Sequence, residues 1–418
     1  MAQVPGDDDL SAPALSPLAD SPAPAPAPLA DSPATALAPE AAPLGRVFDV
    51  TKYGAVADGK TENNLAFSDA WNAACKYSGN ATFFIPKGTF FLGPVSFNGP
   101  CYNKQSPKVE IRGTLKAPSS LNAFPAVTWI IFQGLHGFNL TGAETALLDA
   151  QGAEAWTQSD CLKKEKCDNF PTSLRFIEIS GGTMANITLM NSKAFHISFL
   201  NCNDIVVHGI NITAPWDSPN TDGIHISNST NIQVTSSTIG VGDDCVSIGP
   251  GNTNVSVSNI KCGPGHGISV GSLGKYPNEK DVVGVSVKNC TISGTTNGVR
   301  IKTWPGSPAS KAYNLTFEDI VMTNVSNPII IDQAYCPWHS CNSKPSLVKL
   351  SNIHFKKIRG TYNTKSAVTL LCSSVIPCND IQLMDINLTS MKVDGQVAST
   401  FLMMKGTSNG VQIVNSCC

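Results

Sequence analysis

The sequence reads NTDGIHI at residues 220–226, GDDCVSI at 242–248, GHGISV at 265–270 and VRIK at 299–302. Each segment contains a short alternation of apolar residues, which is typical of a half-buried β-strand. The first three alternations begin 22 residues apart, at Ile224, Val246 and Ile268. A regular interval of this length predicts that each segment belongs to one turn of a repetitive fold.

Side chains that can carry protons lie two positions before these alternations, at Asp222, Asp244 and His266. If each repeat is one turn of a solenoid, the three side chains stack in a column on one face, about 4.8 Å apart. Asp243 lies one position away from this column.

A second apolar run precedes a polar corner in each repeat. These runs lie at 187–189, 205–207, 232–234, 255–257, 285–287, 315–317, 353–355 and 381–383. The blades of a β-propeller need about 40 residues or more, so the shorter repeat favours an all-β fold, a right-handed parallel β-helix. Asparagine-rich corners would supply side-chain hydrogen bonds where the chain bends.

The N-terminal part of the chain differs from the repeats. Residues 61–75 place Phe67, Ala70, Trp71 and Ala74 at helical spacing, which predicts a helix that caps the open end of the solenoid. Residues 1–45 are rich in Ala, Pro, Ser and Asp and predict a disordered arm. Residues 46–418 are expected to form the single β-helix domain.

Composition limits the classes of partner. The 418 residues carry a net charge of −2, so nucleic acid and membranes are not expected as partners, and a monomer is expected. The even number of cysteines, 14, and the absence of CxxC pairs favour disulfides over metal binding. Close pairs are Cys161/Cys167, Cys336/Cys341, Cys372/Cys378 and Cys417/Cys418.

Ten Asn-X-Ser/Thr sequons agree with a secreted glycoprotein of the extracellular space or cell wall. They begin at Asn80, Asn139, Asn186, Asn211, Asn228, Asn254, Asn289, Asn314, Asn324 and Asn387. An Asn- and Thr-rich β-repeat would also generate sequons by chance. Residues 1–4 lack the charged region and apolar run of a signal peptide.

The column of acids suggests glycosidic chemistry. Hydrolysis of a glycosidic bond needs a proton donor and a second carboxylate, about 5 Å apart for retention and about 6.5 to 9.5 Å apart for inversion. Stacking would place Asp222 and Asp244 near the short end of this range, and Asp243 widens the choice. Carboxylates in one column repel one another, which argues against a purely structural role in turns. His266 is expected to orient or tune one of them.

Arg300 and Lys302, here called the basic pair, alternate with apolar residues and should leave the same outer face. Beside an acidic column in a chain with only 14% charged residues, they are candidates to bind a carboxylate of the substrate. Tyr335 is a candidate for the wall of the same site, and simple packing explains it equally well.

NTD at 220–222, GDD at 242–244, GHG at 265–267 and RIK at 300–302 resemble, in this order and spacing, the four signature motifs of the polygalacturonase family. The resemblance extends over residues 47–410, and GKYPNEKDV at 274–282 is similar to the exo-acting subgroup of plant pollen. It implies hydrolysis of the α-1,4 bonds of polygalacturonic acid in pectin, with inversion and without a metal or other cofactor.

The resemblance also implies roles for individual residues. Asp243 would be the general acid, Asp222 and Asp244 would activate water, and His266 would assist. The basic pair would hold the galacturonate carboxylate, so Lys302→Ala would raise KM more than it lowers kcat. Asn220 and Tyr335 would contribute to substrate binding.

The resemblance likewise favours a disulfide between Cys245 and Cys262, which are separated by about one coil of sequence. The extra residues between Ile268 and Val299 suggest a loop that blocks one end of the cleft and favours exo action. Gly242 replaces a Gln that is frequent in microbial members.

Two other functions remain open from the residues alone. A pectate lyase would use a similar β-helix with Ca²⁺ and an Arg base, and its products would absorb ultraviolet light. A non-enzymatic solenoid that binds cell-wall carbohydrate would need no acid, so Asp243→Asn would leave its function unchanged.

Overall fold

The computed structural model describes residues 45–143, 145–158, 170–337, 340–392 and 398–415. The predicted disordered arm lies outside these residues except for Gly45. The cysteine pairs Cys161/Cys167 and Cys417/Cys418 lie outside them as well.

Eleven strands form one parallel sheet, here called the site sheet. They are Val95–Asn98, Thr128–Gln133, Thr172–Ile177, Ile197–Leu200, Ile224–Ser227, Val246–Ile248, Ile268–Leu273, Asn297–Thr303, Asn327–Asp332, Ser366–Leu371 and Ala398–Leu402.

A second parallel sheet of 23 strands covers the rest of each coil. Its strands are Arg46–Asp49, Asp58–Glu62, Ala81–Ile85, Thr89–Phe91, Lys108–Ile111, Thr114–Lys116, His136–Gly142, Leu147–Asp149, Ser180–Ala185, Thr188–Met190, Asn203–His208, Asn211–Thr213, Thr230–Thr235, Thr238–Gly240, Thr253–Ser258, Lys261–Cys262, Val282–Ser293, Ser310–Val325, Val348–Tyr362, Cys378–Met384, Asn387–Ser390, Met404–Asn409 and Gln412–Asn415.

The register of the site sheet follows the apolar alternation of the sequence. Ile224 pairs with Val246, which pairs with Ile268, which pairs with Val299. All four side chains are fully buried. The next inward position carries Phe176 in an earlier coil, whose ring stacks on the neighbouring phenylalanine rings of the same column. Burial of each such apolar side chain contributes about 1.5–3 kcal/mol, and the predicted right-handed parallel β-helix is confirmed.

The second sheet differs from the prediction in one respect. Coils in the middle of the molecule contain three strands rather than two, because a short strand follows the polar corner. Residues 205–207 pair with 232–234 as expected. The run at 187–189 belongs instead to the third column, where Leu189 pairs with Ile212. This run precedes a polar corner as predicted, but a three-residue strand has too few alternations for the sequence to define its column.

Asparagine occupies many of the corners between these columns. Six of the ten sequon asparagines have a positive φ, between 48° and 59°. They are Asn186, Asn228, Asn254, Asn289, Asn314 and Asn324. Asparagine tolerates this left-handed conformation better than other non-glycine residues, so a structural role accounts for its presence at these positions.

Helix α1 spans Asn64–Lys76 and buries Phe67, Ala70, Trp71 and Ala74 against the first coils, which confirms the predicted cap. A second, short helix, α2, spans Ala153–Thr157. Short 3-10 helices span Val50–Tyr53, Tyr102–Lys104 and Leu121–Ala123. Among the helices of the described residues, none has the length and apolar composition to cross a membrane.

Four disulfides are present among the described residues, namely Cys75–Cys101, Cys245–Cys262, Cys336–Cys341 and Cys372–Cys378. The predicted pairing of Cys245 with Cys262 is confirmed. Cys202 and Cys290 are buried free thiols, so the even cysteine count does not mean that every cysteine is paired.

Candidate active site

The acidic cluster, Asp222, Asp243 and Asp244, lies at the start of two adjacent strands of the site sheet. One carboxylate oxygen from each residue lies within 4.8 Å of the others. The predicted stacking therefore occurs, and it places the three carboxyl groups close to the short end of the spacing used by glycosidases.

Hydrogen bonds between two turns hold Gly242, the residue before Asp243, in place. Ser218 donates to or accepts from Thr221 at 2.6 Å, and the Gly242 N–H donates to Thr221 Oγ1 at 3.0 Å. A Cβ on Gly242 would lie 2.0 Å from the Ser218 carbonyl oxygen. Any larger residue at 242 would therefore push the turn at Ser218 away from the backbone that carries Asp243.

The Asp243 carboxylate accepts hydrogen bonds at Oδ1 from the Asp244 N–H at 2.8 Å and from His266 Nδ1 at 2.9 Å. Burial raises the pKa of Asp243, but the hydrogen bond and positive charge of His266 outweigh burial, so this pKa lies below its ordinary value. Burial lowers the pKa of His266, but the hydrogen bond and negative charge of Asp243 outweigh that effect and raise it. The two residues form an ion pair that retains one proton.

Asp222 is more buried than Asp243, with 6% of its surface exposed. Its Oδ2 accepts a hydrogen bond from Ser247 Oγ at 2.7 Å. Burial and the negative charges of Asp243 and Asp244 raise the pKa of Asp222 well above its ordinary value, and the Ser247 bond offsets only part of this rise. Asp222 therefore takes up a proton more readily than Asp243 does.

Asp244 is fully buried and lies between the two cations of the basic pair. Its Oδ1 accepts from Arg300 at 2.9 Å, and its Oδ2 accepts from Lys302 Nζ at 2.8 Å. Ser269 Oγ also donates to Asp244 Oδ1, at 2.7 Å. The basic pair is thus a counter-charge of Asp244 in this structure, in addition to its predicted role toward a substrate.

Aromatic side chains form the wall beside the basic pair. The Tyr335 ring lies 5.2 Å from Lys302 Nζ, and the Trp304 ring packs edge-on against Tyr335 with centroids 5.5 Å apart. Lys275 Nζ lies 5.4 Å from the Trp304 ring centroid. The loop at 274–281 is therefore next to the basic pair, as its extra length suggested.

Asn220 is half-buried in the turn before Asp222, with a φ of 53°. The structure thus brings all the predicted site residues to one face of the site sheet or to the loops that border it.

The sequence prediction missed Ser247, Ser269 and His225. They occupy the outward position of the alternation that also carries Arg300. His225 Nδ1 lies 2.8 Å from Ser247 Oγ, so a chain of hydrogen bonds leads from His225 through Ser247 to Asp222. The available signal was their register with Arg300, because serine alone has no distinctive pattern.

The acidic cluster could in principle hold a cation, since it offers three carboxylate oxygens. Both oxygens of Asp244, however, already accept hydrogen bonds from the basic pair. The two positive charges of this pair also oppose a divalent ion at the same position. Proton transfer between a paired acid and a raised-pKa carboxyl group fits the arrangement better than metal chemistry does.

Comparisons with known proteins agree with this chemistry. The model of Glycosyl hydrolases family 28 matches residues 75–410. An exopolygalacturonase from Platanus acerifolia is 45% identical over 370 residues, covering 88% of this chain and 97% of the relative. A polygalacturonase from Gossypium barbadense is 44% identical over 343 residues, covering 82% of this chain and 83% of the relative.

A hyperthermoactive exopolygalacturonase from Thermotoga maritima has a similar structure, with a TM-score of 0.73. It is 17% identical, and the match covers 89% of this chain and 92% of that one. At this identity the likeness shows a shared fold.

Proposed function

Because the chain belongs to family 28 of the glycosyl hydrolases, we propose that it hydrolyses the α-1,4-galacturonosidic bonds of polygalacturonic acid. The observation that carries this proposal is the acidic cluster placed directly beside a buried basic pair. The cluster provides an acid and a base, and the basic pair provides positive charge where an acidic sugar would bind.

Asp243 is the general acid. Its side chain is 19% exposed, against 1% for Asp244, so it is the carboxyl group that can approach a glycosidic oxygen. A bound sugar ring would cover this exposed part and strengthen the burial that already raises the pKa of Asp243. The proton of the Asp243–His266 pair would then shift toward Asp243 and pass to the leaving oxygen as the bond to the anomeric carbon breaks.

Asp222 and Asp244 orient the attacking water, and Asp222 takes its proton. The raised pKa of Asp222 suits a general base, because a base works best when its pKa is close to the working pH. Asp244 is a poor candidate for a nucleophile, because its oxygens accept bonds from three donors. Asp222 is too deeply buried to reach the sugar directly, which leaves water as the nucleophile.

These roles imply inversion at the anomeric carbon, although the carboxyl groups lie closer than the 6.5–9.5 Å or so usual for inverting pairs. Proton NMR of the first product tests this point. Inversion would release the β-anomer from an α-linked substrate, whereas an α-anomer formed first would assign a nucleophilic role to one of the carboxylates.

The basic pair also binds the galacturonate carboxylate. Arg300 uses Nε and one terminal nitrogen for Ser269 and Asp244, and Lys302 uses one of its three donors. The other terminal nitrogen of Arg300 faces the side-chain amide of Asn297 at 3.2 Å, so the two further N–H groups of Lys302 are the donors that turn toward a ligand. Tyr335 and Asn220 complete the binding surface.

We assign exo action to this enzyme on two grounds. The relatives include proteins named exopolygalacturonases, and the loop at 274–281 contacts the wall beside the basic pair. Release of monomeric galacturonate from a defined oligogalacturonide supports exo action. Mixed trimers and tetramers at early times would show an open cleft.

The activity is tested with polygalacturonate in the presence and absence of a chelator. The hydrolase should produce reducing ends without an ultraviolet-absorbing product, and chelator should leave its rate unchanged. Unsaturated products that disappear with chelator would identify a lyase. Binding without turnover would identify a carbohydrate-binding protein.

The location of the protein follows from the same function. Pectin is a cell-wall polymer, and four disulfides among the described residues fit an oxidising compartment. We place the protein outside the cell, with residues 46–418 as its catalytic domain. The similarity of residues 274–282 to the pollen subgroup suggests a role in pollen.

A further inference from the structure

One outward column of the site sheet runs past the acidic cluster on both sides. In register, its members are Arg175, Ser198, His225, Ser247, Ser269 and Arg300, here called the polar column. Its central serines donate to Asp222 and Asp244, so the column forms the floor of the active site.

The two arginines occupy mirror positions in this column. Arg300 lies two strands beyond the strand that follows Asp244, and Arg175 lies two strands before the strand that follows Asp222. Adjacent strands are about 4.8 Å apart, so each arginine backbone is about 10 Å along the helix axis from the nearer acid. The acidic cluster therefore lies between the backbones of two arginines, and the Arg300 side chain reaches back to Asp244.

Arg175 differs from Arg300 in its partners. Arg300 pairs with Asp244, whereas the buried Arg175 Nε donates to no partner within residues 45–143, 145–158, 170–337, 340–392 and 398–415. Burial, together with the positive charges of Lys302 and Arg175, lowers the pKa of the neighbouring His225 to about 4. His225 is then neutral at pH 7, and Arg175 contributes positive charge on this side of the cluster.

An aromatic ring, that of Phe195, precedes the strand Ile197–Leu200, which pairs with the strand of Arg175. Phe195 occupies the position of Asp222 in the preceding coil, and its half-buried ring stacks on His225 with centroids 4.9 Å apart. A partly exposed aromatic ring offers an apolar face to a sugar ring, and a cation on the adjacent strand offers a charge to the carboxylate of that sugar.

We propose that Arg175 binds the carboxylate of a galacturonate unit on the opposite side of the scissile bond from Arg300 and Lys302, with Phe195 against the sugar ring. This inference rests on the proposed hydrolysis of polygalacturonate. It makes the site selective for acidic sugars on both sides of the cleaved bond.

The test uses trigalacturonate and three analogues, in each of which a different single carboxyl group is reduced to the alcohol. Arg175→Gln should raise KM for trigalacturonate about 10-fold or more, as expected for a lost charge-assisted hydrogen bond. The difference between Arg175→Gln and wild type should disappear with one analogue only, because that analogue lacks the carboxylate that Arg175 binds. Arg175→Lys should have an intermediate KM.

Arg112→Gln is the matched control, because Arg112 is exposed and pairs with Glu110 in the second sheet. It should behave as wild type. An unchanged KM in Arg175→Gln, including the case in which only its Tm falls, would overturn the proposal, and so would an equal loss with all analogues. Wild-type turnover of trigalacturonate tests the proposed function separately, whatever the variant does.

Discussion

Two columns of polar side chains run along this solenoid, and they differ in how their members are satisfied. At the corners of the second sheet, Asn254 donates to Asn231 at 2.7 Å and Asn289 donates to Asn259 at 2.6 Å. These exposed, neutral amides satisfy one another from coil to coil. The carboxylates of the acidic cluster cannot do so, because each is an acceptor and each is negatively charged.

The acidic cluster therefore depends on residues from other positions. Asp244 needs Arg300 and Lys302, Asp243 needs His266, and Asp222 needs Ser247. A column of amides needs no functional explanation, because the amides satisfy one another's hydrogen bonds. A column of buried carboxylates lowers the stability of the fold, so its presence indicates a function. Substitutions in the acidic cluster should consequently lower activity, whereas substitutions in the asparagine column should lower stability alone.

The largest effect is expected from Asp243→Asn. The amide keeps the shape of the side chain but cannot donate the proton, so kcat should fall by about 10²–10⁴ while substrate still binds. Product formation and equilibrium binding of trigalacturonate measure the two quantities. Asp217→Asn, an exposed neighbour in the loop before Asp222, is the control and should keep full activity. If Asp243→Asn retained most of the wild-type rate, another residue would have to be the acid.

Lys302→Ala should lower both activity and stability. Because Lys302 bonds to the buried Asp244, its loss leaves Arg300 as the remaining cation partner and should cost about 3 kcal/mol in the free energy of unfolding. The structure thus adds a loss of stability to the expectation that KM rises more than kcat falls, and it predicts a larger fall in kcat. Denaturant unfolding and steady-state kinetics check this against Lys349→Ala, an exposed lysine in the second sheet. A rise in KM with unchanged kcat and stability would show that Lys302 acts on substrate binding alone and not through Asp244.

The pH dependence should reflect His266 and Asp222. The proton of the Asp243–His266 pair is lost as pH rises through the pKa of His266, which lies above 6.5. The base is lost as pH falls through the pKa of Asp222, which lies above 3.8. His266→Asn should move the alkaline limb of kcat by about 1–3 units to lower pH, since a carboxyl group then titrates alone. His136→Asn, an exposed control, should leave the profile in place, and an unmoved limb in His266→Asn would exclude the pair as the source.

The smallest effect is expected in the asparagine column. Asn254→Asp keeps a residue that tolerates positive φ but removes the donor to Asn231, which should cost about 0.5–1.5 kcal/mol of stability without affecting kcat. This change also removes the sequon at 254. Ser256→Ala removes the same sequon and keeps the donor, so a loss of stability shared by both variants would indicate a glycan effect instead.

The fold was predictable because its signal repeats. The interval between Ile224, Val246 and Ile268 sets the register, and the same interval places Asp222 above Asp244. The pairing of Cys245 with Cys262 was predictable from the family resemblance and from their separation of about one coil. The short third strand found in many of the coils was not predictable, because about three residues carry almost no alternation.

The site was predictable only where its residues have distinctive chemistry. Acids, His266 and the basic pair stand out in a chain with few charges. Ser247 and Ser269 do not, because serine also fills turns and surfaces. The ion pairs of Asp244 with the basic pair were also missed, since they join coils that only the folded register brings together.

Parallel register has a consequence for how the molecule comes apart. Each coil contacts mainly its two neighbours, so opening should spread from the ends inward rather than through the whole domain at once. Helix α1 covers the first coils, whereas Phe401 and Leu402 are about half exposed on the last strand of the site sheet. Backbone amides of that last strand should therefore exchange with deuterium early. Those between Cys245 and Cys262, in the coil held by the disulfide, should exchange late, so the catalytic centre would outlast the end of the solenoid that lies beyond it.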